Sequence, residues 1–237
     1  MQIAAWYIPT AGGTRAMILV HGRNASKQGA VSGNFVDFGA ALARSGVSVL
    51  MIDQRGHGES EGEPYSFGVN ERRDILGAVD WLLEQGYPAG SIGALGLSLG
   101  GRAVIGAAAE EARIGLMVLE RTFADLAPLS ELNWEEETGL PKFFLPGVYL
   151  MNRLLYGYSV ADVRPVDELP GLAPRPVLIV HCTTDVDVSI SHAEALKQAL
   201  PSAETWFIDG CEHAEIYRDL PEEYEERVVG FIDGNPR

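Results

Sequence analysis

The feature that most constrains this chain is a set of short apolar runs with no polar residue alternating through them. Examples are MILV at 17–20, SVLMI at 48–52 and VLIV at 177–180. Uninterrupted runs of this length are typical of strands that are buried on both faces of a parallel sheet. Longer amphipathic stretches separate the runs, and such alternation predicts an α/β fold, a doubly wound sheet with right-handed crossovers.

The boundaries of the predicted elements follow from the same periodicity. The predicted strands are Ile3–Ile8, Ala16–His21, Val47–Ile52, Ser91–Leu97, Ile114–Glu120, Pro176–Cys182 and Thr205–Asp209. The predicted helices are Asn34–Arg44, Asn70–Gln85, Leu99–Glu111, Ser191–Ala199 and Glu222–Ile232. We expect Asn70 to cap its helix, whose buried stripe would comprise Val69, Ile75, Val79, Leu82 and Leu83.

Composition excludes several classes of protein. A chain of 237 residues that is 46% hydrophobic suits a single domain over 1–237 with an insertion, and excludes intrinsic disorder. The balance of 18 basic and 33 acidic residues, 18 − 33 = −15, repels phosphate backbones and anionic lipid headgroups, so we expect no nucleic-acid partner.

Targeting and membrane signals are weak. The apolar runs Ala103–Ala109 and Phe143–Met151 are far shorter than the ~18 residues of a membrane span, so no transmembrane segment is predicted. The start, MQIAAWYIPT, does not resemble a signal peptide. We therefore expect a cytoplasmic protein, unless an upstream leader has been removed.

One stretch interrupts the alternation of strands and helices. It holds 7 of the 20 aromatic residues between Phe123 and Tyr158, and it is too long and too apolar for an ordinary connection. We predict that residues 123–160 form a small helical cap over the carboxyl ends of the strands, where ligands bind in open α/β sheets. The alternative is a structural crossover with its own small core.

The segment GLSLGG at 96–101 is the strongest chemical signal, because it lies where a predicted strand turns directly into a helix. In that setting G-x-S-x-G indicates a nucleophile elbow, with Ser98 as the nucleophile. Glycine at positions 96 and 100 would relieve collisions with neighbouring segments, and the helix N-terminus would favour an oxyanion. The alternative is that Ser98 is a simple helix cap.

The catalytic base follows from chain order. An elbow of this kind goes with the order serine, acid, histidine, so the base should lie late in the chain. His213 follows a predicted strand in a short loop, which predicts that it lies at the same sheet end as Ser98. Among the other histidines, we expect a structural hydrogen-bonding role for His21 and a solvated or capping role for His192.

The acid is predicted to be Asp185, in the turn after the VLIVH strand. A buried carboxylate there would orient the imidazole and stabilise the imidazolium. Asp187 and Glu120 are the alternatives.

An oxyanion hole needs two backbone N–H donors, which we predict to be Leu99 and Arg23, with the Arg23 side chain in solvent. Neither a dinucleotide fingerprint nor a cluster of metal ligands is present in the sequence, so no cofactor and no metal are expected.

These residues carry a resemblance to the alpha/beta-hydrolase superfamily. The matching segments occur in the family's order and span nearly the whole chain: VHG at 20–22, DQRGHGES at 53–60, GLSLGG at 96–101, HCTTDVDV at 181–188 and GCEHAEIY at 210–217. The chain is most similar to small esterases, monoacylglycerol-lipase-like and prolyl-oligopeptidase-like members. Cys182 is a departure, since glycine is usual at that position.

The resemblance implies an alpha/beta-hydrolase fold with a cap at 123–160, and it assigns the acid to Asp185 and the histidine to His213. We expect a cofactor-independent serine hydrolase, a carboxylesterase acting on small-molecule esters with short or medium acyl chains. The alternatives are an amidase or peptidase of the same fold, and a catalytically silent binding protein.

The two cysteines, Cys182 and Cys211, form neither a disulfide framework nor a metal-binding spacing. Neighbouring strands could bring them within reach of a bridge. In a cytoplasmic setting we expect two reduced, buried thiols instead.

Overall fold

A computed structural model describes residues 1–29, 35–62, 66–211 and 216–235. The described residues form a seven-stranded sheet with the order β1-β3-β2-β4-β5-β6-β7. The strands are β1 (Ala5–Ile8), β2 (Ala16–Val20), β3 (Ser48–Ile52), β4 (Ile92–Leu97), β5 (Ile114–Glu120), β6 (Val177–Cys182) and β7 (Glu204–Ile208). Only β1 is antiparallel to its neighbour β3, and the other pairs in the described sheet are parallel.

Burial explains why the apolar runs became strands. Every residue of the five strands from β2 to β6 is buried, whereas the edge strands β1 and β7 are partly exposed. Each predicted strand is present, with its ends within two residues of the prediction. The predicted alpha/beta-hydrolase fold is confirmed.

Helices cover both faces of this sheet. In chain order they are α1 (Phe35–Arg44), α2 (Arg72–Glu84), α3 (Leu99–Glu110), α4 (Leu126–Thr138), α5 (Leu145–Tyr156), α6 (Pro165–Glu168), α7 (Ile190–Ala199), α8 (Ile216–Asp219) and α9 (Pro221–Gly234). α2, α3 and α7 pack in the core on one face, and α1 and α9 pack on the other. In the ranges described above, no helix has both the length and the apolarity needed to cross a bilayer.

The predicted cap of α2 is wrong. The helix begins at Arg72, and Glu71 stands at the capping position with helical backbone angles. The Glu71 carboxylate is fully buried and accepts the backbone N–H groups of Ser66 and Gly68 at 2.5 and 2.8 Å. Asn70 instead donates its own N–H to the Ser66 hydroxyl at 2.7 Å. The buried Glu71 carboxylate therefore holds the turn before α2, and Asn70 does not cap the helix.

The prediction of reduced cysteines is also wrong, because Cys182 and Cys211 are joined by a disulfide. Cys182 lies opposite Ile208 in the parallel pair β6–β7, and Cys211 follows three residues beyond that position. The short turn after β7 brings the two Cα atoms to 5.6 Å, within the range a disulfide needs.

Candidate active site

Ser98 lies at the junction of β4 and α3 with φ of 50° and ψ of −113°, a strained conformation for a residue with a side chain. Its side chain makes no capping hydrogen bond to α3. The helix-cap alternative for Ser98 therefore has no support in the geometry.

Glycines make this tight turn sterically feasible. A Cβ atom on Gly96 would lie 2.5 Å from the backbone of Gly100, and one on Gly100 would lie 2.4 Å from the carbonyl oxygen of Val20. Contacts this short with backbone atoms cannot be relieved by moving a side chain. The spacing of small residues around Ser98 thus lets α3 start directly against β2 and β4.

Ser98 opens into a cavity of about 470 Å³. The sheet side of its wall includes Gly22, Arg23 and Leu99, the region predicted to supply the oxyanion donors. The opposite side is formed mainly by apolar and aromatic side chains of α4 and α5, among them Leu126, Trp134, Leu145, Val148 and Tyr149. The segment predicted to form a cap therefore lines the same cavity as Ser98.

The Arg23 side chain is 40% exposed, in keeping with the expectation, and it is also paired. Its two terminal nitrogens donate to the two carboxylate oxygens of Glu137 on α4, at 2.9 and 2.6 Å. This bidentate pair lowers the pKa of Glu137 through the hydrogen bonds from Arg23. The loop after β2 is thereby tied to α4.

A second contact ties α4 to the loop after β6. The side-chain amide of Asn133 donates to the backbone carbonyl of Asp187 at 3.1 Å. Asn133, Glu137 and Asp187 all line the cavity. α4 is consequently held at two loops that follow sheet strands.

Asp185 lies in the turn after β6 and is 6% exposed. Its Oδ1 atom accepts the backbone N–H groups of Asp187 at 3.0 Å and Val188 at 2.9 Å. His181 donates its Nε2–H to the carbonyl of Val188 at 2.7 Å, which fixes the same turn. The carboxylate is therefore held in one orientation by the backbone around it.

The two alternatives for the acid differ in their surroundings. Glu120 is buried, pairs with Arg121 at 2.7 Å and accepts the Tyr224 hydroxyl at 2.5 Å. Burial, reinforced by the negative charge of Glu120, raises the pKa of Tyr224. Asp187, the other alternative, is exposed. Glu120 therefore belongs to a buried network that links β5 to α9.

His213 lies outside the described residues, and its role stays a prediction. The described residues on either side constrain where its loop begins: β7 ends at Ile208, next to Cys182 of β6, and Cys211 is bonded to Cys182. The chain therefore leaves Cys211 beside the end of the strand that precedes Asp185.

His21 has the hydrogen-bonding environment expected of a structural residue. It is fully buried, its Nδ1–H donates to the Gly22 carbonyl at 2.7 Å, and its Nε2 accepts the backbone N–H of Gln54 at 3.0 Å. Burial lowers the pKa of His21 to about 4, so the ring is neutral near pH 7.

His192 differs from the expectation of a solvated or capping residue. Its ring is half-buried, and Nδ1 accepts the backbone N–H of Ala124 at 3.2 Å, just before α4. Burial lowers the pKa of this ring as well. His192 therefore braces the start of α4 from α7.

Sequence analysis missed a buried ion pair between the loops that follow β2 and β3. Lys27 and Asp53 are 1% and 0% exposed, and the Lys27 ammonium donates to Asp53 at 2.6 Å. The Lys27 backbone N–H donates to the other oxygen of the same carboxylate at 2.6 Å. The pair joins the loops after β2 and β3, and the only sequence signal for it was an aspartate directly after a buried strand.

No group of three or more histidine, cysteine or acidic side chains within the described part of the chain is arranged to hold a metal ion.

Comparisons with known proteins agree with this architecture. A model described as the alpha/beta hydrolase family matches residues 17–229, and the chain belongs to that family. The uncharacterized protein YqkD of Bacillus subtilis strain 168 is 27% identical over 192 residues, which cover 79% of this chain and 63% of YqkD. The chain thus spans less than two thirds of the length of that relative.

Solved structures show the same fold at low identity. The Pyrococcus furiosus esterase Pf2001 superposes with a TM-score of 0.79 at 21% identity, covering 98% of this chain and 87% of the esterase. A monoacylglycerol lipase from Paleococcus ferrophilus superposes with a TM-score of 0.74 at 22% identity, covering 100% of both chains. At this identity the likeness establishes the fold alone.

Proposed function

We propose that this protein is a cofactor-independent serine hydrolase, a carboxylesterase acting on small-molecule esters with short or medium acyl chains. The observation that carries the proposal is the strained Ser98, presented by a glycine-framed turn to a largely apolar cavity. Strain of this kind is concentrated at functional sites because folding gains nothing from it. The esterase and lipase names of the structural neighbours favour the same reaction class.

In the proposed mechanism, the Ser98 oxygen attacks the ester carbonyl while His213 takes its proton. The backbone N–H groups of Leu99 and Arg23 donate to the oxyanion, and Asp185 orients the histidine. His213 then returns the proton to the leaving alcohol. Water, deprotonated by the same imidazole, releases the acid and regenerates Ser98.

Two features of the site support this distribution of roles. The Asp185 carboxylate is buried and held by two backbone N–H groups, which suits an acid that orients the histidine. Leu99 is the first residue of α3, so its N–H lies at the positive end of the helix dipole.

We further propose that residues 1–237 form a single domain in which 123–160 is a cap. The support is that α4 and α5 line the cavity and that α4 is bonded to the loops after β2 and β6. Residues Leu99, Phe123 and Leu126 share a small apolar cluster that packs the start of α4 onto the elbow.

The test combines active-site labelling with a substrate series. A fluorophosphonate should label the wild-type protein at Ser98, and p-nitrophenyl esters should be hydrolysed with a preference for short or medium chains. Ser98→Ala should lose labelling and lower kcat by several orders of magnitude. Ser130→Ala, which removes a hydroxyl from the same cavity, is the matched control and should retain most activity.

Three outcomes would count against the proposal. Near-normal activity in Ser98→Ala would exclude this nucleophile. Faster cleavage of a matched anilide than of the ester would indicate an amidase. Ligand binding without labelling or turnover would indicate a silent hydrolase fold.

A further inference from the structure

The outward face of α5 is apolar. Leu154 and Leu155 are 69% and 66% exposed, and Leu150 is 58% exposed. Soluble proteins normally place charged or polar side chains on the outer face of a surface helix. A contiguous set of large exposed apolar side chains usually marks an interaction surface.

The inner face of the same helix is already occupied. Leu145, Tyr149 and Asn152 follow one another at helical spacing, are buried or half-buried, and line the cavity. The side chains at 150, 151 and 154 lie on the other side of the helix, each more than two fifths exposed. α5 therefore has one apolar face toward the cavity and a second, uncovered one toward solvent.

Aromatic residues extend this surface at both ends of α5. The rings of Phe143 and Phe144 stack with their centroids 4.1 Å apart just before the helix, and they are 74% and 44% exposed. Tyr156 ends the helix and is 65% exposed. We call Phe143, Phe144, Leu150, Met151, Leu154, Leu155 and Tyr156 together the outer surface.

The charges around the outer surface decide which occupant fits it. Between residues 139 and 161 the only charged side chains are Lys142 and Arg153, although the whole chain carries −15. Lys142 precedes α5 and Arg153 lies in its last turn. The nearest upstream carboxylate, Glu137, is already paired with Arg23.

A second copy of the chain fits these charges poorly. A two-fold interface centred on α5 would place the cations of one copy against the same cations of the other. Lipid headgroups instead offer phosphate groups to cations at the rim while the acyl region accepts leucine and phenylalanine. Because the net charge of the whole protein opposes an anionic membrane, zwitterionic lipid is the better match.

We propose that the outer surface docks on a zwitterionic lipid–water interface, with Lys142 and Arg153 at the level of the headgroup phosphates. The apolar side chains of α5 and the two phenylalanines enter the boundary between headgroups and acyl chains. This docking does not depend on the proposed function, because it uses the face of α5 opposite to the cavity.

The test is flotation of the full chain with phosphatidylcholine vesicles in 0.15 M salt. Wild-type protein should float with the vesicles, and L154E/L155E should partition at least about tenfold more weakly, since two leucines are removed and two carboxylates added. L154S/L155S removes the leucines without adding charge and should also weaken binding. F207E is the control, because Phe207 is 38% exposed on the edge strand β7.

Light scattering and circular dichroism complete the design. Each variant should keep the wild-type spectrum and thermal midpoint, because the replaced leucine and phenylalanine side chains are exposed. Failure of the wild-type protein to bind vesicles would overturn the proposal, as would equal loss in F207E. A concentration-dependent dimer that L154E/L155E abolishes would assign the outer surface to a second copy instead. Loss of vesicle binding with esterase turnover on soluble esters unchanged would support the proposal.

Discussion

Removing the disulfide should destabilise the protein and loosen the region proposed to hold two catalytic groups. The perturbation is the double substitution C182A/C211A, which deletes the cross-link between β6 and the turn after β7. The two cysteines are 29 residues apart in sequence. For a closed loop of that size, the chain-entropy relation gives about 3.6 kcal/mol of stabilisation at 25 °C.

The expected loss in the free energy of unfolding can be measured against a matched control. Urea unfolding followed by tryptophan fluorescence should give a free energy of unfolding about 3–4 kcal/mol lower for C182A/C211A than for oxidised wild type. The thermal midpoint should fall by roughly 7–14 °C for a chain of this size. Wild type reduced with dithiothreitol is the matched control, because it keeps both sulfur atoms and lacks only the bond. The variant and the reduced wild type should therefore nearly coincide.

Turnover of p-nitrophenyl esters, the substrates of the proposed reaction, provides the functional readout. The bridge lies two residues from His213 in sequence and three residues before Asp185, so its loss should lower kcat more than it alters KM. Two free thiols in the denatured, unreduced protein would refute the reasoning at its start. A free energy of unfolding within about 1 kcal/mol of wild type would show that the bridge constrains little.

Three further predictions concern other buried or paired groups. Tyr224→Phe should lower the free energy of unfolding by about 1–3 kcal/mol, because a buried oxygen of Glu120 loses its hydroxyl donor. An effect below about 0.5 kcal/mol in urea unfolding would contradict this prediction. The pKa of His21 is lowered to about 4 in the folded protein, whereas a histidine in the unfolded chain titrates at about 6.5. Between these two pH values the unfolded chain binds a proton that the folded protein does not. The free energy of unfolding should therefore decrease as the pH falls through this range. Across this pH range the thermal midpoint should therefore fall more steeply for wild type than for His21→Asn. The same pH dependence of the midpoint in both proteins would exclude His21 as the cause. Glu137→Gln should reduce kcat several-fold while changing stability by less than about 1 kcal/mol, because it breaks the bidentate pair with the loop after β2. Glu136→Gln is the neighbouring exposed control, and equal kinetics in both variants would show that the pair does not position the site.

The sheet and the elbow could be predicted from sequence because their causes are local. A strand buried on both faces is apolar at nearly every position, so β2 to β6 are visible as largely uninterrupted apolar runs. The turn at Ser98 must have glycine wherever a Cβ atom would meet backbone, so its spacing is visible too. The family likeness follows from these same segments.

Only the tertiary structure decided the contacts that join distant parts of the chain. The Tyr224–Glu120 hydrogen bond links residues 104 apart, and the pair between Arg23 and Glu137 links residues 114 apart. Neither partner carries a local pattern that marks the other, because their approach depends on how α9 and α4 pack against the sheet. The expected cytoplasmic setting suggested reduced cysteines, whereas the register of two parallel strands placed Cys182 and Cys211 within bonding distance.

The outer surface likewise depends partly on the sequence and partly on the tertiary structure. The sequence contains an apolar stretch there, and hydrophobicity alone predicts that such residues are buried somewhere. Which side faces the cavity and which faces solvent depends on the rotation of α5 about its axis. That rotation is set by the packing of Leu145 and Tyr149 beneath the helix, and the remaining apolar side chains are left on the outside.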